Sequence, residues 1–230
     1  MGILSQKTLL DPDSQKGIRV THELHPDPPR DYEPPTLEPS RNHDPIAKIT
    51  EEEVINAIKS MGLSKSPGPS GLGPAHWRVL IQVPGVPDIL AQAFNEILGS
   101  PERSQYRDFY AFRLALIPKD GDEERYRPIA IGETITMAFH KILLQRINPQ
   151  LTGYLEPEQI AFRLNAHAVG VRMAYNEMQK DGTQVISLDI SNAFNSIPRE
   201  EILHGLDEAH LPLVLRNYIE AFLQMRHSGI

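Results

Sequence analysis

Asp189 is the first residue placed for chemistry. It ends an apolar run, VISLD at 185–189, and is followed by ISNAFNSI and then PREE, a favourable helix start. A carboxylate at a strand's end, with the chain turning over it, can hold a divalent cation against a phosphate. Mg2+ takes hard oxygens from one or two carboxylates and completes its shell with phosphate and water. Taken alone, Asp189 is better read as a turn or helix-capping aspartate, because one carboxylate is not a metal site. Lys119, Arg125 and Arg127 flank a turn, where guanidinium and ammonium groups suit a triphosphate. Asp120, Asp122, Glu123 and Glu124 are interleaved with them, so that stretch alone reads as a solvated turn of mixed charge. The run GPSGLG at 68–73 lacks the Gly-Lys-Ser/Thr ending of a phosphate loop and its prolines remove amide donors, so it reads as a rigid turn. His22, Glu23 and His25 have the spacing HELH, not HExxH, and sit in a solvated tail. The remaining histidines, at 76, 140, 167, 204, 210 and 227, show no ligand spacing and read as surface or helix-face residues.

The elements that must position these groups follow from periodicity and caps. Thr50 followed by Glu53 predicts a capping box. Val54, Ile55, Ile58 and Met61 then recur at helical spacing before Gly62. Short helices are predicted around 75–81 and over 87–98, the second with Ile89, Leu90, Ala93, Phe94, Ile97 and Leu98 on its apolar face. Residues 110–118 alternate like a strand, and 127–131 read as the return strand of a hairpin. Further helices are predicted over 133–147, 166–179, 200–206 and 213–225, with a short apolar strand over 185–189. Helices, a hairpin, helices, one strand and helices, with no regular βαβ repeat, make an α+β chain.

Composition bounds the rest. The chain has 230 residues, net charge −7, no cysteine and 20 prolines. The missing cysteine excludes a disulfide scaffold, a Cys-ligated zinc site, an iron–sulfur cluster and a cysteine nucleophile. No run approaches 18 apolar residues and no signal-peptide pattern opens the chain, so an intracellular protein (nucleus or cytoplasm), not secreted and not in a membrane, is expected. Eight prolines fall in the first 45 residues, with eight acids against five bases and no apolar periodicity. That stretch cannot bury enough surface to offset its ordering entropy, so residues 1–45 are expected to be a disordered Pro-rich tail.

Four segments in order are more specific than their parts: SPGPSGLGPAHW (66–77), ALIPKDGDEERYRPIAIGETITMAFHKILLQRI (115–147), EQIAFRLNAHAVG (158–170) and VISLDISNAFNSIPREEIL (185–203). Together they resemble the reverse transcriptase domain of non-LTR (LINE-type) retrotransposons and of group II intron-like enzymes, over about residues 50–225. The resemblance implies a polymerase right-hand fold: a fingers-like region over 46–183 and a partial palm over 184–230. It implies an RNA-directed DNA polymerase, a nucleotidyltransferase acting on an RNA template, a DNA primer and dNTP with Mg2+. Position by position, it matches Lys119 and Arg127 to the pair that contacts the incoming triphosphate. Gln159 and Arg163 match an element beside the template strand, with Ala161 where the family usually has Gly. Asp189 matches the first catalytic aspartate and metal ligand, with the carbonyl of Ile190 as a second ligand. Phe194 matches the bulky residue that excludes a ribose 2′-OH, and Asn195 stands where many relatives have Asp. Ser70 stands where the family usually has Asp in its glycine loop.

In the family, two Mg2+ ions activate the primer 3′-oxygen and stabilise the leaving pyrophosphate, and the protein contributes positioning and charge. The family's later Tyr-x-Asp-Asp element has no counterpart in these 230 residues, which contain no Asp-Asp pair. A single aspartate cannot hold two ions, so this stretch is expected to be a truncated domain, inactive alone. The alternative is a non-catalytic nucleic-acid- or protein-binding remnant of a polymerase-like fold. Truncation also predicts a strand at 184–189 without partners and a final helix missing part of its packing surface.

Overall fold

The computed structural model describes residues 11–17, 19, 46–101, 104–119, 122–155, 159, 166–180, 182–184, 186, 188, 190 and 193–225. Helix α1 (Glu51–Lys59) begins with the predicted capping box: the Thr50 N–H donates to Glu53 Oε2 at 2.9 Å and the Glu53 N–H to Thr50 Oγ1 at 3.3 Å. Its last carbonyl region is closed from outside, where Arg78 Nη2 donates to the carbonyls of Lys59 and Met61 at 2.6 and 2.7 Å. Arg78 lies on the short helix α2 (Pro74–Leu80), whose start is capped by His76 Nδ1 accepting from the Gly73 N–H. Helix α3 (Val86–Gly99) follows a turn through Gly85, whose φ of 83° favours a residue without a Cβ. Its buried face is Pro87, Ala91, Phe94, Ile97 and Leu98, while Ile89, predicted on that face, is 64% exposed.

A 3-10 turn (Ser104–Tyr110) leads into the hairpin of β1 (Phe112–Lys119) and β2 (Asp122–Gly132). The strands pair antiparallel from Phe112 opposite Gly132 to Pro118 opposite Tyr126, and the register breaks between Pro118 and Lys119. Pro118 has no N–H to give to the ladder at that point. One hairpin face carries Leu114, Leu116 and Tyr126, which form a small apolar cluster with Leu116 fully buried. Within the segment read as a tail, residues 15–17 form a helical turn and the Lys16 ammonium lies 5.4 Å from the Tyr126 ring centroid on this cluster.

Helix α4 (Thr134–Tyr154) runs seven residues past its predicted end and through Pro149. Leu151 packs against the core and the Tyr154 hydroxyl donates to Glu208 at 2.7 Å, which holds the extension despite the missing proline N–H. Then come α5 (Ala166–Met178), the single turn α6 (Ala193–Ser196), α7 (Arg199–Glu208) and α8 (Leu213–Met225). The chain is mixed helix and strand, with one two-stranded sheet among the described residues.

One apolar core joins α1, α3, the 3-10 turn, α4 and α8. Phe139 is its centre: its ring lies 4.9 Å from Phe94, 5.7 Å from Phe109 and 5.0 Å from Tyr218, the last edge-on. Removing each such ring from water contributes about 1.5–3 kcal/mol. The final helix buries one face: Leu211 just before it and Leu215 and Tyr218 on it are at most 1% exposed where α8 meets α3 and α4, while Leu213, Val214, Phe222 and Leu223 are half-buried. The strand predicted at 185–189 is absent at every described position there. Residues 184, 186, 188 and 190 lie outside any strand, with Ile186, Leu188 and Ile190 76–89% exposed. An apolar run becomes a strand only where a neighbour accepts its ladder bonds, and among the described residues none pairs with it.

Candidate functional site

The hairpin is the part of the predicted site that the structure describes most fully. Arg127 on β2 lies directly across from Ile117, and Lys119 is two residues further along β1, past the register break and paired with Asp122. Arg127 is exposed and Lys119 half-buried. Among the described residues, no carboxylate is paired with either side chain. The acids at 120 and 122–124 lie outside the residues or side chains described. Two cations free of described carboxylates, near the end of a narrow ribbon, can meet a polyphosphate as a bidentate fork and a point charge.

The base of the ribbon is held by the glycine-rich loop. Ser70 donates to Glu133 twice, from its N–H to Oε1 and from its hydroxyl to Oε2, both at 2.6 Å. Arg113 Nε on β1 donates to the Pro67 carbonyl at 3.2 Å. Gly68 lies so close to Gly132 and Glu133 that an added Cβ would come within 2.7 Å of their backbone atoms. The loop is thus a docking element for the hairpin rather than a plain turn between helices. Sequence reading missed Glu133, because a buried acid at a strand-to-helix junction has no spacing signature. The glycine at 68 was the available signal, since a backbone approach this close requires one.

Behind the hairpin, Arg146 on α4 ties the entry of the folded part together. Its Nε and Nη2 reach Glu53 Oε1 and Oε2 at 2.8 and 2.7 Å, Nη2 also reaches the Lys48 carbonyl at 3.0 Å, and Nη1 donates to the Ala47 carbonyl. This arginine holds the Glu53 carboxyl below the usual carboxylate range, opposed by burial and aided by Thr50. Asn95 on α3 plays the matching part for Ile49, accepting its N–H at 2.8 Å and donating to its carbonyl at 3.0 Å. His140, read as a helix-face residue, instead meets the Tyr218 hydroxyl at 2.7 Å and packs edge-on to Phe222. Burial, with Tyr110 alongside, pushes the Tyr218 phenol well above its usual range.

The other predicted site residues are not brought together in what is described. Asp189 and Arg163 lie outside the described residues. Gln159 is exposed and Ile190 is 76% exposed. Phe194 lies in the short helix α6, whose backbone alone is described at that position. No group of three or more His, Asp or Glu side chains among the described residues is placed to hold a metal, so these residues do not by themselves compose a metal site. Among the described residues, no helix is long and apolar enough to cross a membrane.

The mixed helix and strand frame, with its small two-stranded sheet, agrees with what this chain is similar to. The profile described as "Reverse transcriptase (RNA-dependent DNA polymerase)" matches residues 117–229, beginning on β1 two residues before Lys119. That family generally uses Mg2+ for catalysis. Residues 117–229, just under half of this chain, are thus similar to reverse transcriptases, and the matches to retrotransposon proteins support a reverse transcriptase domain of the non-LTR kind. Among its relatives is the "Retrovirus-related Pol polyprotein from type-1 retrotransposable element R2" of Nasonia vitripennis, 29% identical over 161 residues, 66% of this chain and 15% of that protein. The R2 polyprotein of Popillia japonica is 29% identical over 122 residues, 49% of this chain and 17% of that protein. The "Probable RNA-directed DNA polymerase from transposon BS" of Drosophila melanogaster is 26% identical over 193 residues, 76% of this chain and 21% of that protein. The chain thus spans about a fifth or less of the length of these relatives.

Proposed function

We propose that this chain supplies the fingers hairpin and the first palm carboxylate of an RNA-directed DNA polymerase encoded by a retroelement. On this reading β1 and β2 are the fingers hairpin, and Lys119 and Arg127 neutralise charge on the triphosphate of an incoming dNTP. Gln159 and Arg163 border the RNA template, and the Phe194 ring excludes a ribose 2′-OH by sterics. Asp189, with the Ile190 carbonyl, would hold Mg2+, which supplies charge stabilisation at the transferring phosphate. The protein groups position the triphosphate and the primer end, which is the larger part of phosphoryl-transfer catalysis. An intracellular site of action, on RNA template and DNA primer, follows from that activity.

The observation that carries the reading is the antiparallel hairpin with Lys119 and Arg127 near its outer end, inside a stretch matched by the reverse transcriptase profile. The test is equilibrium binding of dATP and of a short RNA–DNA duplex to the 230-residue chain across a salt series. Changing Lys119 and Arg127 together to Ala should weaken dATP binding and flatten the salt dependence of duplex binding. No change in either quantity refutes the assignment of this hairpin.

A further inference from the structure

Glu133 stands at the joint between β2 and α4 and is 7% exposed. It is the residue that caps α4, yet its carboxylate makes no capping bond to its own helix. Both oxygens turn instead to Ser70, which lies 63 residues earlier in the chain. A buried carboxylate requires partners, and here both described partners belong to one residue of the glycine-rich loop. Arg113 to the Pro67 carbonyl and the Gly68 approach to Gly132 fasten the same loop on either side. Beyond this base the hairpin has the small cluster of Leu114, Leu116 and Tyr126, and among the described residues no helix packs broadly on either strand. A two-stranded ribbon is marginal by itself, so its direction depends on its base.

The geometry points to Glu133 as a positioning residue for Lys119 and Arg127, a proposal that rests on reading those two as the triphosphate-binding pair. The argument is leverage. Lys119 is seven residues along β1 from Phe112, a span of about 23 Å at 3.3 Å per residue, so a 10° tilt at the base moves it by about 4 Å. Charge-assisted bonds to phosphate form at about 2.7–2.9 Å, so such a shift breaks them. The latch is the Glu133–Ser70 pair: it stops the base from tilting against the helical core. Glu133→Ala removes both acceptors, so both bonds from Ser70 are lost, whereas Glu133→Gln would keep two, its amide oxygen accepting from the Ser70 N–H and its NH2 donating to the Ser70 hydroxyl oxygen. Any fraction of the hairpin that leaves the binding position raises the apparent dissociation constant in proportion.

The test compares the full chain with Glu133→Ala and with the exchanged pair Glu133→Ser plus Ser70→Glu. Readouts are dATP affinity and amide hydrogen exchange. Glu133→Ala should weaken dATP binding about tenfold, equivalent to about 1.4 kcal/mol. Exchange should quicken in residues 112–132 and stay unchanged in α1 and α4. The exchanged pair restores the hydroxyl–carboxylate bond across the same joint but not the bond from the backbone N–H of residue 70, and should recover part of both. The proposal is overturned if dATP affinity in Glu133→Ala stays within twofold of the parent. It is equally overturned if exchange rises as much in α1 and α4 as in the hairpin and the exchanged pair recovers nothing. If the parent chain itself fails to bind dATP, it is the reading of Lys119 and Arg127 that falls. Hairpin exchange then decides the latch alone: selective quickening supports it and uniform exchange refutes it.

Discussion

Replacing Arg146 with Ala removes the tie between α4 and the entry to the core, and the cost can be worked from the contacts. Two bonds run to Glu53 and two more to the carbonyls of Ala47 and Lys48. The side chains of the pair are 19% and 30% exposed, between a surface bridge and a buried one. A fully exposed pair contributes about 0–1 kcal/mol. Breaking a fully buried pair costs about 3–5 kcal/mol. Partial exposure lets water re-solvate Glu53, so about 2 kcal/mol is expected for Arg146→Ala. In a chain of this size that lowers Tm by roughly 4–8 °C, at 2–4 °C per kcal/mol. Arg146→Lys should recover less than half, because an ammonium cannot reproduce the fork. The effect has a pH signature. The Arg146 guanidinium holds the Glu53 carboxyl below its ordinary value in the folded state. Its share of stability is therefore present above that value and is lost as pH falls through the lower, folded value. Urea unfolding from pH 7 down to pH 3 should show the difference between parent and Arg146→Ala shrinking as Glu53 protonates. A difference below about 0.5 kcal/mol at pH 7, the usual range for unconstrained surface changes, would refute the clamp. So would a difference that persists undiminished at pH 3.

Three further outcomes are expected. Asn95→Ala leaves the N–H and carbonyl of Ile49 without their side-chain partner, and should cost about 1–3 kcal/mol in urea unfolding. Tyr218→Phe keeps the ring among Phe139, Tyr110 and Phe222 but removes the bond to His140. A loss of about 1 kcal/mol is expected, and an unchanged urea midpoint would show that the bond contributes nothing. Gly68→Ala drives a Cβ against the backbone of Gly132 and Glu133, and should cost about 1–3 kcal/mol. Thermal unfolding measures that cost, and amide exchange concentrated at 66–73 and 112–132 would locate it.

The elements with local signals were legible in the residues. The capping box at Thr50, the hairpin, the four helices of the core and the return of α8 all announce themselves by caps, alternation or period 3.6. What was not legible is which faces meet. Ile89 has the spacing of a core residue but points outward, because the face that α3 buries is set by α1 and α8 rather than by its own period. Asn148 and Pro149 read as a helix end, yet contacts of Leu151 and Tyr154 beyond them carry α4 onward. The candidate site divides in the same way. Lys119 and Arg127 could be named from the order of segments around them. Glu133, Arg146 and Asn95 act through partners 46 to 99 residues away, and no window of sequence contains both ends of such a bond.

That division bears on how the hairpin should behave. The strong ties to the core gather behind it, at Arg146, Asn95 and the aromatic cluster around Phe139. The ribbon carrying Lys119 and Arg127 is fixed among the described residues by its base and by one small cluster of Leu114, Leu116 and Tyr126. Local opening free energies follow the density of such ties, so the ribbon should open well below the global unfolding free energy while α4 opens only with it. A movable cationic ribbon on a rigid core suits a group that must admit a triphosphate, grip it and let pyrophosphate leave, because gripping and release then cost little reorganisation of the core. Native-state hydrogen exchange distinguishes the cases directly. Amides of 112–132 that exchange at the same free energy as those of α4 would mean that ribbon and core open as one unit.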